Sequence, residues 1–368
     1  MKYIDEYRNS EAASYLTKEI GKNSAILSER NLSINIMEVC GSHTMAISRF
    51  GIRELLPDNI SLISGPGCPV CVTDAGYIDA SIEIAEKGIT VATFGDMINV
   101  PGSKKNLAKC RSEGCKIEVC YSPLSLLDKA RDNPDKEFAF LAIGFETTMA
   151  PIVCMLDSAI QEELKNISIL TAFKLVPPAL DVLTSDPELK IDAFLCPAHV
   201  SAIIGSTAYE PIAHKYNIPC VIASFEPVEI LLGINSILKQ IVSGKAFVEN
   251  DYERVVKKQG NLIAQNLFKK YLKECDASWR GIGVIPKSGL ELKEEYSAFD
   301  ASKKFKINVN PGKPDKMCKC GDVLKGKIKP FECPLFAKAC NPINPVGPCM
   351  VSSEGTCSAY YKYNRKTL

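Results

Sequence analysis

The segment Gly65–Thr73, with the sequence GPGCPVCVT, contains two cysteines separated by two residues and follows a β-rich run. We expect Cys68 and Cys71 to lie at the N-terminus of a helix. There, backbone N–H groups and the helix dipole favour the thiolate and lower a thiol pKa. Such a thiolate attacks disulfides or binds a soft metal. The pattern therefore predicts thiol–disulfide exchange or metal binding.

Cys40 and His43 follow the preceding β-rich run. If the two runs are neighbouring parallel strands, they end at the same sheet edge, and the sulfur of Cys40 converges with those of Cys68 and Cys71. A single thiolate beside a redox-capable pair is suited to hold an iron while chemistry occurs on it. His43 could then be a ligand, a proton donor, a group that contacts a ligand, or a polar residue with only a structural role. A structural zinc site built from all four residues is the alternative, because four N or S ligands form the usual zinc set.

Six of the sixteen cysteines lie beyond residue 317, in a tail rich in Pro and Gly: Cys318, Cys320, Cys333, Cys340, Cys349 and Cys357. A segment of this kind buries little apolar surface, so a metal centre would explain its folding. A [4Fe–4S] cluster takes four cysteine thiolates, and structural zinc takes the same number. The spacing of the tail cysteines predicts a metal centre and leaves both metals open.

The elements that must position these residues are eight β-rich runs separated by helix-length intervals. Within the first four runs and within the last four, the starts are 24 to 29 residues apart, about the length of a strand with a returning helix. This spacing predicts two consecutive sets of βα units, each set in its own parallel sheet. Ligands bind beyond the carboxyl ends of such strands, so Glu146, after the fifth run, is a further candidate. The runs are Ile34–Val39, Ile60–Ser64, Ile89–Phe94, Ile117–Tyr121, Phe138–Ile143, Ile167–Phe173, Ile191–Leu195 and Pro219–Ser224.

The predicted fold is α/β, with two related parallel-sheet domains around a cleft and a C-terminal domain that is mostly helical or irregular. We expect an N-terminal helical segment at 1–30, an α/β domain at 31–130 with Cys40 and the Cys68/Cys71 pair, and a second α/β domain at 131–245. The range 246–368 is expected to be helical, particularly over 246–275, and then cysteine-rich.

Composition excludes several classes of function. The chain has 44 Lys+Arg against 43 Asp+Glu, and a net charge of +1 argues against a nucleic-acid binder. No apolar run is long enough for a membrane helix, and the N-terminus mixes acidic and basic residues where a signal peptide has an apolar core. We therefore expect a cytoplasmic protein, in which many cysteines indicate metal binding or thiol redox chemistry and not disulfides.

Several blocks spread along the whole chain resemble the HypD family of [NiFe]-hydrogenase maturation factors. The blocks are Met37–Met45, Gly65–Thr73, Thr93–Met97, Gly144–Thr148, Pro197–Ser201, Phe225–Pro227 and Asn344–Gly355. The resemblance implies a protein that scaffolds assembly of the Fe(CN)2CO unit in a stable complex with the small protein HypC. It implies that cyanide arrives from HypE and that the finished unit passes to the hydrogenase large-subunit precursor.

The same resemblance implies roles for individual cysteines. Cys40 would be the thiolate that holds the iron of the Fe(CN)2CO unit, shared with a cysteine of HypC, while Cys68 and Cys71 would form a dithiol/disulfide couple that exchanges electrons with a [4Fe–4S] cluster. The expected cluster ligands are Cys318, Cys333, Cys340 and Cys357, which leaves Cys320 and Cys349 as a possible thiol pair. The choice of Cys318 over Cys320 is open, since the two stand only two residues apart.

His43 and Glu146 are expected helpers in the cyanide or CO chemistry. A stand-alone iron–sulfur thiol–disulfide oxidoreductase is the alternative function. Cys40 distinguishes the two functions, because the oxidoreductase does not need it whereas the scaffold does.

Overall fold

Two β-sheets form the framework of the computed structural model, which describes residues 5–364. Sheet 1 has the strand order β2-β1-β7-β8-β9, and sheet 2 has the order β10-β11-β6-β5-β3-β4. The strands are β1 Ile34–Glu38, β2 Ile60–Ser64, β3 Thr90–Thr93, β4 Ile117–Val119, β5 Phe138–Gly144, β6 Ile167–Lys174, β7 Ala193–Pro197, β8 Cys220–Ala223, β9 Val248–Asn250, β10 Leu272–Trp279 and β11 Gly283–Leu292.

Fourteen α-helices connect or cover these strands within the described range. They are α1 Ser10–Glu29, α2 Gly41–Arg49, α3 Ala75–Glu86, α4 Leu107–Ser112, α5 Ser125–Asp132, α6 Glu146–Gln161, α7 Val176–Ser185, α8 Ala198–Ile204, α9 Glu210–Tyr216, α10 Pro227–Val242, α11 Leu262–Tyr271, α12 Ala301–Lys304, α13 Cys320–Leu324 and α14 Thr356–Tyr363. No helix in residues 5–364 is both long and apolar enough to cross a membrane. The predicted α/β class, with a helical and irregular C-terminal part, is confirmed.

Sheet 1 is parallel throughout and is covered on both faces. Ile36 faces the layer formed by α1 and α10, whereas Met37 faces an apolar cluster that includes the tail. Because β1 is buried on both faces, its sequence is mainly apolar and does not alternate strictly between apolar and polar residues. Helix α1, capped by the Asn9 side chain, accounts for most of the predicted helical segment 1–30, of which residues 1–4 lie outside the described range.

Sheet 2 contains four parallel strands, β3 to β6, and the antiparallel hairpin β10–β11 at the edge beside β6. All seven residues of β5 are buried. The hairpin begins at Leu272, inside the range 246–275 where the sequence predicts helix, and continues to Leu292. Only α11 is helical there, because the free edge of β6 pairs with β11 and the chain after Tyr271 becomes strand instead of continuing the helix.

All eight predicted strands form, but their grouping is wrong. Strands β1 and β2 pair with β7, β8 and β9, whereas β3 and β4 pair with β5 and β6. The chain thus leaves sheet 1 after β2, builds the parallel part of sheet 2, and returns to sheet 1 after β6. Every βα unit has about the same length, so the repeat spacing carries no information about which strand becomes a neighbour. Each of the ranges 31–130 and 131–245 therefore contributes strands to both sheets.

The tail packs against the sheets through the same apolar cluster. That cluster contains Met37 and Val39 of the β1 region together with Cys349, Met350 and Tyr360 of the tail. The ring of Tyr360 also lies 4.9 Å below the guanidinium of Arg53. As a result, the C-terminal cysteines lie against the carboxyl end of sheet 1.

Candidate thiol and metal centre

Cys40 is the second residue after β1 and occupies the N-cap position of α2. The predicted neighbour relation of the first two strands is confirmed, since Glu38 pairs with Ser64 in the parallel register of β1 and β2. Beyond the strands, the amide of Gly41 donates to the carbonyl of Gly67 at 2.9 Å. A Cβ atom on Gly67 would stand 2.4 Å from the backbone nitrogen of Cys40, so only glycine permits this approach. The two loops that carry the candidate thiols are therefore in direct backbone contact.

The Cys40 thiol is buried, and its surroundings favour the protonated form. Burial and the negative charge of Glu354 raise the pKa of Cys40 to about 12, against the opposing effect of the amides of His43 and Ser42. Glu354 is held in place by the hydroxyl of Ser42, which donates to its Oε1 at 2.6 Å. A thiol of this kind becomes a thiolate when a bound cation displaces its proton, so metal binding here is coupled to proton release.

His43 is neutral and donates through Nε2. This nitrogen lies 3.1 Å from the carbonyl oxygen of Ala223 and 2.9 Å from that of Ser224, and because carbonyls only accept, Nε2 carries the proton. Burial lowers the pKa of His43 to about 4. The other nitrogen, Nδ1, is buried without a hydrogen-bond partner among the described residues. The ring packs 4.8 Å from Phe225, on which His199 also packs.

The zinc site considered as an alternative, with Cys40, His43, Cys68 and Cys71 as ligands, is not formed. In residues 5–364, no three His, Cys, Asp or Glu side chains converge in a way that would hold a single metal ion. The two carbonyls of β8 and the residue after it engage the Nε2 atom of His43 instead.

Cys68 and Cys71 lie in a tight turn and not at a helix N-terminus, so that prediction is wrong. The amide of Cys71 donates to the carbonyl of Cys68 at 3.1 Å, and α3 begins only at Ala75. Asp74 supplies the cap of that helix by accepting from the amide of Gly76. Without the helix dipole, burial dominates. Together with Cys349 and Cys68, it raises the pKa of Cys71 well above its ordinary value.

Four thiols form a continuous row from the turn into the tail, which we call the thiol row: Cys68, Cys71, Cys349 and Cys320. Cys71 lies near Cys349 and Cys68, both of which act on its pKa, and its sulfur lies 3.8 Å from the carbonyl oxygen of Pro348. Cys349 is in turn in contact with Cys320. The possible thiol pair Cys320/Cys349 thus lies side by side, and Cys349 links it to Cys71.

All six tail cysteines line one small, mainly apolar cavity. The amide of Val346 donates to the sulfur of Cys340 at 3.3 Å. A Cβ atom on Gly347 would stand 2.6 Å from the sulfur of Cys318, so the glycine makes room for that thiol. Amide–sulfur hydrogen bonds and a closed apolar lining are features that tune iron–sulfur centres. A cluster of four irons does not require its thiolates to converge on one ion, and the six sulfurs around one cavity fit it.

Glu146 lies at the start of α6, on the side of sheet 2, and its contacts are separate from those of Cys40. Its Oε1 accepts from the amide of Val176 at 3.0 Å, and its buried Oε2 has no hydrogen-bond partner among the described residues. Burial raises the pKa of Glu146 to about 7, against the opposing effect of its own amide and that of Val176. A carboxyl group with this pKa exchanges protons near neutral pH.

Glu146→Gln is expected to stabilise the protein at pH 8 by about 3 kcal/mol, with a smaller gain as the pH falls toward 5. In the folded protein the pKa of this carboxyl is about 7, against an ordinary 4.5. Between these values the unfolded chain has lost a proton that the folded chain keeps, so stability falls as the pH rises through this window and the full penalty remains above it. Glutamine has no charge to bury.

Urea unfolding of both proteins at pH 5, 6.5 and 8 measures this difference. Glu229→Gln is the matched control, because Glu229 is equally buried but forms an ion pair with Arg254. We expect that variant to gain no stability at pH 8. A Glu146→Gln gain that does not depend on pH would contradict the assignment.

Sequence reasoning missed Glu354 and the turn between β10 and β11. Glu354 lies inside the block Asn344–Gly355, in which Cys349 was the only residue predicted to have a chemical role. In the turn, the amide of Arg280 donates to the carbonyl of Val72 at 2.8 Å, and a Cβ atom on Gly281 would stand 2.2 Å from the Cα atom of Gly321. The turn thus lies between the Cys68/Cys71 segment and α13. No local sequence pattern indicates these contacts.

Comparison with known proteins places this chain in a family. A sequence model described as "HypD: Hydrogenase formation hypA family" matches residues 11–364. The chain is 42% identical over 374 residues to the hydrogenase maturation factor HypD of Azotobacter vinelandii, covering 100% of this chain and 98% of that protein. It is 41% identical over 371 residues to the protein of the same name from Escherichia coli (strain K12), covering 100% and 99% of the two chains. The similarly named protein of Cupriavidus necator is 40% identical over 374 residues, with coverage of 99% and 98%. The chain therefore belongs to the HypD family of hydrogenase maturation factors.

Proposed function

We propose that this chain is the scaffold on which the Fe(CN)2CO unit of [NiFe]-hydrogenase is assembled, in a stable complex with HypC. Cys40 holds the iron, shared with a cysteine of HypC, while HypE donates cyanide. The HypC complex then passes the finished unit to the hydrogenase large-subunit precursor. Family membership supports hydrogenase maturation, and the setting of Cys40 is the observation that carries the finer proposal.

The contacts of Cys40 suit a ligand to a transient metal. They are made with Gly67, with the amides at the start of α2 and with Glu354, whereas Cys71 contacts other thiols. Iron binding converts the Cys40 thiol to a thiolate and releases one proton. Glu354 is the carboxylate whose charge acts on this thiol, and Ser42 holds it in place, so we assign it to accept that proton. Neutral His43 keeps the site from gaining a second positive charge.

The tail cysteines are proposed to hold a [4Fe–4S] cluster through Cys318, Cys333, Cys340 and Cys357. The closed cavity, the number of thiols and the amide that faces Cys340 support this assignment. When bound, such a cluster supplies single electrons.

The thiol row is proposed to carry reducing equivalents by exchange. A disulfide between Cys68 and Cys71 is attacked at Cys71 by the thiolate of Cys349, which forms a Cys71–Cys349 bond and releases the Cys68 thiolate. Attack of Cys320 on Cys349 then releases Cys71 and leaves a Cys320–Cys349 disulfide. Reduction of that disulfide to two thiols takes two protons from solvent and two electrons, which the proposed cluster would deliver one at a time from an external reductant. The contacts along the row support each of these transfers.

The stand-alone thiol–disulfide oxidoreductase remains a second candidate because the thiol row by itself favours it. That function requires Cys68, Cys71 and the tail thiols but gives no role to Cys40.

Infrared spectroscopy of the complex with HypC, purified without oxygen, tests the scaffold proposal. We expect cyanide and CO stretching bands in the wild-type complex and none in the complex of Cys40→Ala. If the active complex lacks these bands, or if the variant keeps them unchanged, the scaffold proposal fails. An intact exchange activity of the thiol row would then favour the oxidoreductase.

Single serine replacements test the cluster ligands. Replacing Cys318, Cys333, Cys340 or Cys357 is expected to remove at least about half of the bound iron and sulfide, because each residue supplies one of four thiolates. Replacing Cys320 or Cys349 is expected to leave both amounts unchanged, which makes them the matched controls. Iron, zinc and acid-labile sulfide are measured per chain after anaerobic purification. Zinc in place of iron and sulfide would refute the cluster, and loss on replacing Cys320 instead of Cys318 would reverse that pair.

A further inference from the structure

Arg280 lies in the turn that joins β10 to β11, at the junction of the two thiol-bearing segments. Its amide donates to the carbonyl of Val72, next to Cys71, at 2.8 Å. Its neighbour Gly281 has a φ of +77° and packs so closely on Gly321, next to Cys320, that a Cβ atom would stand 2.2 Å from the Gly321 Cα atom. The backbone of the turn therefore fixes where the Arg280 side chain begins.

The Arg280 guanidinium is buried without a carboxylate partner. The residue is 4% exposed, its Nε has no hydrogen-bond partner, and its Nη1 lies 3.4 Å from the carbonyl oxygen of Pro101. No ion pair within residues 5–364 involves it. Arg53, another arginine near the carboxyl end of sheet 1, instead pairs with the buried carboxylate of Glu38 at 2.6 Å.

A buried cation with no compensating charge is strongly destabilising, so the compensating charge must come from another source. The groups on which the Arg280 charge acts are thiols of the tail. The turn packs on Gly321, the residue after Cys320, and the Arg280 charge acts on Cys318 and Cys320. Both sulfurs line the cavity of the tail, where the thiolates of a bound cluster would bring negative charge.

We propose that the Arg280 guanidinium is the buried counter-cation of the thiolate-bound cluster in the tail and raises the reduction potential of that cluster. The inference rests on the [4Fe–4S] centre proposed above. Reduction adds one negative charge to the cluster, and a fixed positive charge close to it, in a site of low dielectric constant, favours the more negative state. Arg280 thereby acts on the centre through charge and is not one of its ligands.

The proposal is tested on the full chain, reconstituted with ferrous iron and sulfide, by a dithionite titration followed by electron paramagnetic resonance. Arg280→Gln is expected to lower the equilibrium constant for one-electron reduction at least tenfold, which is a shift of about 59 mV to more negative potential. Arg280→Lys keeps the charge and is expected to stay within threefold of the wild type. Arg131→Gln is the matched control, because it removes an exposed arginine charge paired with Glu162 and is expected to change nothing.

Two results overturn the proposal. One is an Arg280→Gln protein that holds a full cluster with the wild-type potential. The other is equal loss of the cluster in the Gln and Lys variants, because the turn then acts through packing and not through charge. A cluster lost in the Gln variant and recovered in the Lys variant supports the proposal. Absence of any cluster from the wild-type chain overturns the metal centre itself, and with it this inference.

Discussion

Replacing Cys40 with serine is expected to lower hydrogenase maturation about 100-fold or more while the fold and the tail centre remain intact. The Cys40 thiol lies at the junction of two backbone loops and is protonated until a cation displaces its proton. A serine hydroxyl is a harder ligand and far less acidic, so it does not replace a thiolate on soft iron. The other candidate thiols contact one another and do not depend on this residue.

Hydrogenase activity is measured in cells that carry the variant as their only copy, and the visible absorption of the purified chain reports the tail centre. Cys220→Ser is the matched control, because Cys220 is fully buried in β8 and takes no part in the proposed chemistry. We expect both variants to lose similar stability and only Cys40→Ser to lose maturation. Maturation above about one tenth of wild type in Cys40→Ser would refute the role of this thiol as the iron ligand.

Replacing Cys71 with serine is expected to stop maturation to a similar extent and to leave iron and sulfide contents unchanged. Cys71 is the member of the turn that contacts Cys349, so its loss interrupts the thiol row between the turn and the tail. It also leaves Cys68 without a partner for a disulfide.

Differential alkylation followed by mass spectrometry measures the pairing directly. After mild oxidation, the wild type should protect Cys68 and Cys71 from alkylation together, and Cys71→Ser should leave Cys68 reactive. Cys154→Ser, at an exposed thiol of α6, is expected to behave as wild type in every measurement. Loss of iron and sulfide in Cys71→Ser would instead make Cys71 a ligand of the tail centre.

The strands were predictable from sequence because buried parallel strands have mainly apolar sequences. The run beginning at Ile34 and the run beginning at Phe138 both form strands close to their predicted bounds. Their partners were not predictable, because pairing depends on which sheet edge the returning chain reaches. The hairpin from Leu272 to Leu292 was hidden for a similar reason, since it is stabilised by an edge of β6 that lies about a hundred residues earlier.

The residues that could do chemistry were predictable from their types, but the surroundings of their side chains were not. Cys68 and Cys71 stood out by their spacing, yet the turn that holds them depends on where α3 begins, and Asp74 determines that. Cys71 and Cys349 are far apart in sequence, so their proximity could not be predicted from the spacing of nearby residues. The pKa of Cys40 depends on Glu354 for the same reason.

The interleaved order of the strands has a consequence for how the protein is made. A ribosome that has released the first 130 residues has delivered β1 to β4, yet β1 still lacks β7 and β3 still lacks β5 as neighbours. Contacts between such distant segments slow folding and leave strand edges open to aggregation, so we expect the nascent chain to depend on chaperones. The tail cysteines are synthesised after all eleven strands. The proposed cluster would therefore be inserted only when the chain of both sheets has been made.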